Sequence, residues 1–181
     1  MRVTRLRFLF AIAALLAGVV LPGTADPAAM RYVADVQGRC RIAFPAGWKV
    51  STPSSDAPAV QGVDVRTGPP YLNVNVVIEP LPEALTAADY AHKSKPLMAA
   101  MLHGFALLQE GPAQIAHRAS YYRYYTWESN DGRELYQVQA YFTMGRLGFV
   151  LTGTTVNDPS RIRADMAVVS QIFETFTPGA K

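Results

Sequence analysis

An α+β domain built on an antiparallel sheet is the fold class this sequence predicts, and three observations predict it. The stretch around residues 119–155 reads as three consecutive strands, AHRASYYRYYTWE, ELYQVQAYFTM and RLGFVLTGTTV, separated by tight turns. Ahead of it, further segments alternate apolar and polar residues with the period of two that a half-buried strand requires. Two other stretches carry helix start signals followed by apolar residues at helical spacing. The expectation is a sheet of about six strands, ending in a three-stranded meander, with helices packed on it.

The 181 residues begin with Arg2, Arg5 and Arg7, followed by an apolar run over 8–21 and by Pro22-Gly23-Thr24-Ala25. A basic start, an apolar middle and small residues at the end are the parts of a signal peptide. Residues 1–25 are therefore expected to be a leader cleaved near Ala25, which makes the protein periplasmic or secreted. The apolar run is shorter than the roughly 20 residues a membrane span needs; a retained N-terminal anchor is the alternative reading. Val19 stands after Leu16-Ala17-Gly18 where an acylated cysteine would be required, so no lipid anchor is expected.

Charge follows from the same segment. The chain has 17 basic and 14 acidic side chains, and the three excess positives are Arg2, Arg5 and Arg7. Without residues 1–25 the two signs balance, so the basic character argues for neither nucleic acid nor anionic membrane as partner. Cys40 is the sole cysteine, which excludes an intramolecular disulfide. Flanked by Arg39 and Arg41 it could in principle be activated, but the strand pattern around it points to a small buried hydrophobe.

Residues 26–38 are expected to form an N-terminal arm with a short strand at Met30–Val36, and residues 39–178 a single domain. Cys40, Ile42 and Phe44 alternate with Arg39, Arg41 and Ala43 as a strand, ended by Pro45-Ala46-Gly47-Trp48 with Trp48 at the core edge. Residues 51–58 are a Ser/Pro-rich loop. Strands follow at Ala59–Thr67 and Tyr71–Glu79, with Gly68-Pro69-Pro70 turning between them. Thr86, three residues before Asp89, is an N-cap for a helix to about His103. Its expected apolar face is Tyr90, Leu97, Met98, Met101 and Leu102, with a kink at Pro96. Phe105–Ala116 is another extended segment, interrupted at Gly111-Pro112. Asp158 as cap and Pro159 in the first turn open a last helix. Ile162, Met166, Val169, Ile172, Phe173 and Phe176 face the sheet, and Arg161, Arg163, Asp165, Gln171 and Glu174 take the other side.

The meander predicts its own register. Asp131-Gly132 as a two-residue turn would pair Trp127 with Tyr136, Tyr125 with Val138, Arg123 with Ala140 and Tyr121 with Phe142. Gly145-Arg146 as a second turn pairs Met144 with Leu147, Phe142 with Phe149 and Ala140 with Leu151. Both put Tyr136, Val138, Ala140, Phe142 and Met144 of the middle strand on the apolar face. The opposite face then carries Tyr122, Tyr124, Gln137, Gln139 and Tyr141, with Val150, Thr152 and Thr154. Those first five residues are the candidate ligand or partner surface, because tyrosine combines contact area with a polar tip; a helix or loop lying over them is the alternative. Arg123 is directed toward the core, and a buried arginine needs a partner; the expectation is a carboxylate on the last helix or an escape to the sheet edge.

No catalytic motif is present: neither Gly-x-Ser-x-Gly, nor His-Glu-x-x-His, nor Gly-x-Gly-x-x-Gly occurs. His92 and His103 are about 16 Å apart by helical rise and cannot share a metal, and His117 stands alone. No metal, no cofactor and no enzymatic activity are expected.

The arrangement resembles the PsbP-like fold, and among bacterial proteins the DcrB-type envelope family. The residues that carry the resemblance are Phe44-Pro45-Ala46-Gly47-Trp48, the Leu85-Thr86-Ala87-Ala88-Asp89-Tyr90 helix start, the aromatic meander, and the Asp158-Pro159 helix ending in Ile172-Phe173-Glu174-Thr175-Phe176. The resemblance implies an antiparallel sheet with packed helices and an accessory or partner-binding role, with an envelope protein as partner. DcrB-type proteins are typically lipoproteins, and Val19 departs from that pattern. The reading is an exported, non-catalytic accessory or partner-binding protein. The alternative is a small-ligand-binding or hydrolytic protein that uses the outer sheet face.

Overall fold

The computed structural model describes residues 30–53 and 58–179. The expected leader, its cleavage near Ala25 and the first part of the arm lie outside the described residues, as does the middle of the 51–58 loop. In chain order the strands and helices are β1 (Met30–Ala34), β2 (Cys40–Pro45), β3 (Lys49–Ser51), β4 (Val60–Asp64), β5 (Leu72–Pro80), α1 (Ala87–Met101), β6 (Ala106–Ile115), β7 (Arg118–Glu128), β8 (Glu134–Met144), β9 (Leu147–Val156), α2 (Pro159–Phe173) and β10 (Thr177–Pro178). The α+β class and the antiparallel pairing hold. Among the described residues the strands number ten, divided between a seven-stranded sheet in the order β3-β4-β5-β9-β8-β7-β6 and a three-stranded sheet β1-β2-β10. Strands β3 and β10, of three and two residues, are too short to display a period in the sequence. Among the described residues no helix is long and apolar enough to cross a membrane.

Both faces of the large sheet are covered. On one, Val74, Val76, Val138, Ala140, Phe142, Phe149 and Leu151 meet Val169, Ile172 and Phe173 of α2 and Cys40, Ile42 and Phe44 of the small sheet. Cys40 is fully buried, and burial pushes its thiol up to about 12, so it is inert at neutral pH. Trp48 is buried against Phe44 rather than resting at a rim. On the other face, Tyr121, Tyr141 and Val150 pack under Leu81, Tyr90 and Ala91.

Capping follows the expected chemistry. Thr86 Oγ1 accepts the Asp89 N–H, and Asp158 Oδ1 accepts the Ser160 N–H with Pro159 in the first turn. Helix α1 runs through Pro96 without interruption. Strand β6 is likewise continuous through Gly111-Pro112, because a sheet edge does not need the N–H that proline lacks. Asp165, expected on the solvent side of α2, is buried: it accepts the Thr155 hydroxyl and lies 3.4 Å from Arg161 Nη2.

The β8–β9 register is the expected one, with Phe142 opposite Phe149 and Ala140 opposite Leu151. The β7–β8 register is not. Tyr121 lies opposite Tyr141, Arg123 opposite Gln139, Tyr125 opposite Gln137 and Trp127 opposite Leu135. The turn is one residue longer than Asp131-Gly132 alone: Gly132 N–H donates to Ser129 O and Ser129 N–H to Arg133 O. Asn130, Asp131 and Gly132 form a three-residue loop, with Gly132 in the left-handed region at φ 76°. A one-residue slip reverses every side chain of a strand, so β7 presents the opposite faces from those expected. Gly132→Ala should cost about 1 kcal/mol because alanine resists this φ. Equilibrium urea unfolding measures it.

Candidate functional site

The register divides the five candidate residues between two faces. Gln137, Gln139 and Tyr141 lie on the α1 face, whereas Tyr122 and Tyr124 lie on the α2 face, opposite Ala140 and Val138. They do not share one face, and a helix lies on each side of the sheet, as in the alternative reading. Two clefts result.

On the α1 face the sheet carries polar residues, and Arg123 explains how they are accommodated. Its side chain is 0% exposed. Arg123 Nε donates to Glu110 Oε2 of the adjacent edge strand at 2.9 Å, Nη2 donates to Ala91 O at 2.8 Å and Nη1 to the Tyr141 hydroxyl at 3.0 Å. Lys95 of α1 donates to the other Glu110 oxygen at 2.7 Å. Burial would raise the Glu110 pKa, but Lys95 and Arg123 outweigh it and hold the carboxyl below its ordinary 4.5. The expected partnership of Arg123 is thus met on β6, not on the last helix, because β7 turns this residue toward α1. Tyr141 is buried here, edge-on to Tyr90. It donates to Gln139 Oε1, while Trp127 Nε1 donates to Gln137 Oε1.

This polar cluster fixes α1 by Ala91, Ser94 and Met98, and of the expected apolar face Tyr90 is buried while Met98 and Leu102 are half-buried. Leu97 and Met101, assigned from sequence to the buried face, are 62% and 73% exposed. They border a groove of about 260 Å³ whose floor holds Tyr125, Trp127, Gln137 and Gln139. The signal that could have revealed this is Ser94, a hydroxyl at the centre of the supposed apolar stripe.

The second cleft, about 460 Å³, lies between α2 and the outer strands of the meander. Tyr122 and Tyr124 line it with Tyr136, which had been expected in the core. Their rings meet in sequence, with centroids 5.5 Å and then 6.0 Å apart. Burial raises the pKa of both Tyr124 and Tyr136, so all their protons stay in place at neutral pH.

The histidines do not converge. His92 Nε2 lies 3.1 Å from the Tyr121 hydroxyl and His103 Nδ1 3.2 Å from Glu128 Oε2, while His117 occupies the β6–β7 turn. Ser120 Oγ donates to the Ala113 carbonyl. Among the described residues no cluster of three or more His, Cys, Asp or Glu side chains is placed to hold a metal ion.

Several solved structures share this fold. The cyanobacterial PsbP, CyanoP, of Synechocystis sp. PCC 6803 is 17% identical, with 90% of this chain and 98% of that one covered at a TM-score of 0.62. LpqN of Mycobacterium tuberculosis, described as involved in cell envelope biogenesis, is 17% identical over 82% of this chain and 90% of its own at 0.56. The Ran-binding protein Mog1p of Saccharomyces cerevisiae is 10% identical over 83% and 95% at 0.55. At such identities the likeness is one of fold, and the fold is PsbP-like. A comparison with curated protein sequences returns no match. The DcrB family model matches residues 40–167, from the first strand of the core through most of the closing helix. The chain belongs to the DcrB family.

Proposed function

We propose that this is an exported envelope protein, periplasmic once residues 1–25 are removed, which works without catalysis by docking another envelope protein. The observation that carries the reading is the apolar flank of α1. Leu97 and Met101, four residues apart and so neighbours on the helix surface, are exposed beside a groove. Leu107, opposite Tyr125 on the same sheet face, is a further exposed apolar side chain. Contiguous exposed apolar surface of this kind marks an interaction site more often than chance. Lys93 is paired with Glu83, and Lys95 shares Glu110 with Arg123, so no lysine at its border stands without a carboxylate. The partner this suits is an apolar protein surface that offers one anchoring side chain to the groove and hydrogen-bonding groups to Gln137 and Gln139. Membership of the DcrB family and the involvement of the structurally similar LpqN in cell envelope biogenesis support the location.

The test is site-specific photo-crosslinking in the native envelope, with the crosslinker at position 101 and, as control, at position 171 on α2. A discrete adduct is expected from 101 and not from 171. Leu97→Asp should abolish it while shifting stability by less than about 0.5 kcal/mol, as exposed substitutions do. Adducts from 171 alone, or an adduct from 101 indifferent to Leu97→Asp, would reject the surface.

A further inference from the structure

The cleft beside α2 lies on the opposite face of the sheet from the α1 flank and has its own chemistry. Within the large sheet, α2 is drawn in closely at β9. A Cβ on Gly153 of β9 would lie 2.4 Å from Val169 Cγ1, so the absent side chain lets the helix sit against the backbone there. Neighbouring strands of a sheet rotate progressively, so a helix close to β9 stands away from β7 and β6. The wedge that opens is about 460 Å³, within the roughly 300–1,000 Å³ of small-molecule sites.

Its walls are of two kinds. Val138, Ala140, Met166 and Val169 make an apolar floor, and the tyrosine row makes one side. Among the described residues, Gln109 supplies the single side-chain hydrogen bond to the three hydroxyls: its Nε2 donates to Tyr122 at 2.7 Å. Tyr122 therefore keeps its own proton to give, and so do Tyr124 and Tyr136. Arg163, at the rim, enters none of the ion pairs among the described residues. Along the tyrosine row and at Arg163 the polar groups left over are thus hydrogen-bond donors, and what they lack is an acceptor.

Charge then gives the cleft a direction. Arg163 stands in the N-terminal half of α2 and brings a positive charge to that end of the cleft. Glu174 lies at the other end, about 16 Å away by helical rise, with one carboxylate oxygen taking the Ala116 N–H at 2.7 Å. An anion is attracted at the first end and repelled at the second.

We propose that this cleft binds a small amphipathic acid, its flat ring-containing body held against Tyr122, Tyr124 and Tyr136 and its carboxylate placed at Arg163. A row of tyrosines, edge-to-face at Tyr122 and Tyr124 and tilted at Tyr124 and Tyr136, suits a rigid ring system better than a flexible chain. The guanidinium supplies the charge-assisted hydrogen bonds that select a carboxylate over a neutral group of the same shape.

The experiment is a titration of the purified protein with 1-naphthoate and with its neutral counterpart 1-naphthamide, followed by two-dimensional NMR. The acid should bind saturably, shift the resonances of Tyr124, Val138 and Met166, and bind at least about tenfold tighter than the amide, the usual worth of a hydrogen bond to a charged group. Arg163→Gln, at an exposed position that leaves the fold intact, should remove that tenfold advantage. Tyr124→Phe should weaken the acid about threefold or more by deleting one donor. Leu97→Asp should leave naphthoate binding unchanged, which separates this site from the docking surface on α1. Equal affinity for acid and amide, full affinity in Arg163→Gln, or no saturable binding at millimolar ligand would each overturn the proposal.

Discussion

Replacing Glu110 with glutamine should destabilise the domain by about 3 kcal/mol, more than replacing Arg123 itself with methionine. The order looks inverted, since Arg123 is the more buried of the two, with 0% of its side chain exposed against 17%. It follows from what each substitution leaves behind. In Glu110→Gln the guanidinium stays beneath α1 without a counter-charge, and an uncompensated buried cation is what makes broken ion pairs costly. In Arg123→Met every former partner keeps another. Glu110 retains Lys95, and the Tyr141 hydroxyl retains Gln139 and Ser94. Methionine also follows the arginine stem and fills most of its volume. A loss of about 1–2 kcal/mol is expected there. Urea unfolding of the two variants gives the comparison, and a larger loss in Arg123→Met would show that hydrogen bonds outweigh charge in this cluster.

The same pair sets a pH dependence. The folded-state pKa of Glu110 is lowered, so its contribution is fully present above the ordinary 4.5 and is lost as pH falls through the lower folded value. Stability of the parent protein should therefore decline as pH drops below about 4.5, and Glu110→Gln should flatten part of that decline.

Gly153→Ala is the second large effect, at about 1–3 kcal/mol. The added methyl meets Val169 Cγ1 at 2.4 Å and Cβ at 3.2 Å. Valine is stiff about χ1 and cannot swing aside, so α2 must lift from β9, with Ile172 and Phe173 beside it in the core. The mechanism is specific enough to be checked by a cycle. In a Val169→Ala background the clash partner is gone, and the further cost of Gly153→Ala should fall below about 0.5 kcal/mol. A full cost in both backgrounds would place the strain in the strand instead.

Much of this architecture was legible because local chemistry and long-range pattern agreed. Thr86 and Asp158 announced both helix starts, and the Gly145-Arg146 turn gave the β8–β9 register. The failure was confined to one residue of loop length. Asp131-Gly132 is a common two-residue turn, but Asn130 can join it to make a three-residue loop with Gly132 last, and propensity does not separate the two. The alternating pattern of β7 could not arbitrate, because SYYRYYTWE carries aromatics on both faces. Arg123, expected toward the core in either case, gave no warning either. That single slip split Tyr122 and Tyr124 from Gln137, Gln139 and Tyr141, and exchanged one imagined platform for two clefts. The flank of α1 was misread for a related reason: hydrophobic spacing marks Leu97 and Met101 as buried, while the guanidinium beneath Ala91 and Ser94 decides where the helix rests.

The division of the meander into these two faces underlies both the docking surface and the acid-binding cleft. Nuclear Overhauser contacts from the Tyr124 ring test it most directly. Contacts to the Val138 methyls and to Met166 of α2 are the expected result. Contacts to Met98 of α1 or to the Gln139 side chain would contradict it and return β7 to the opposite register.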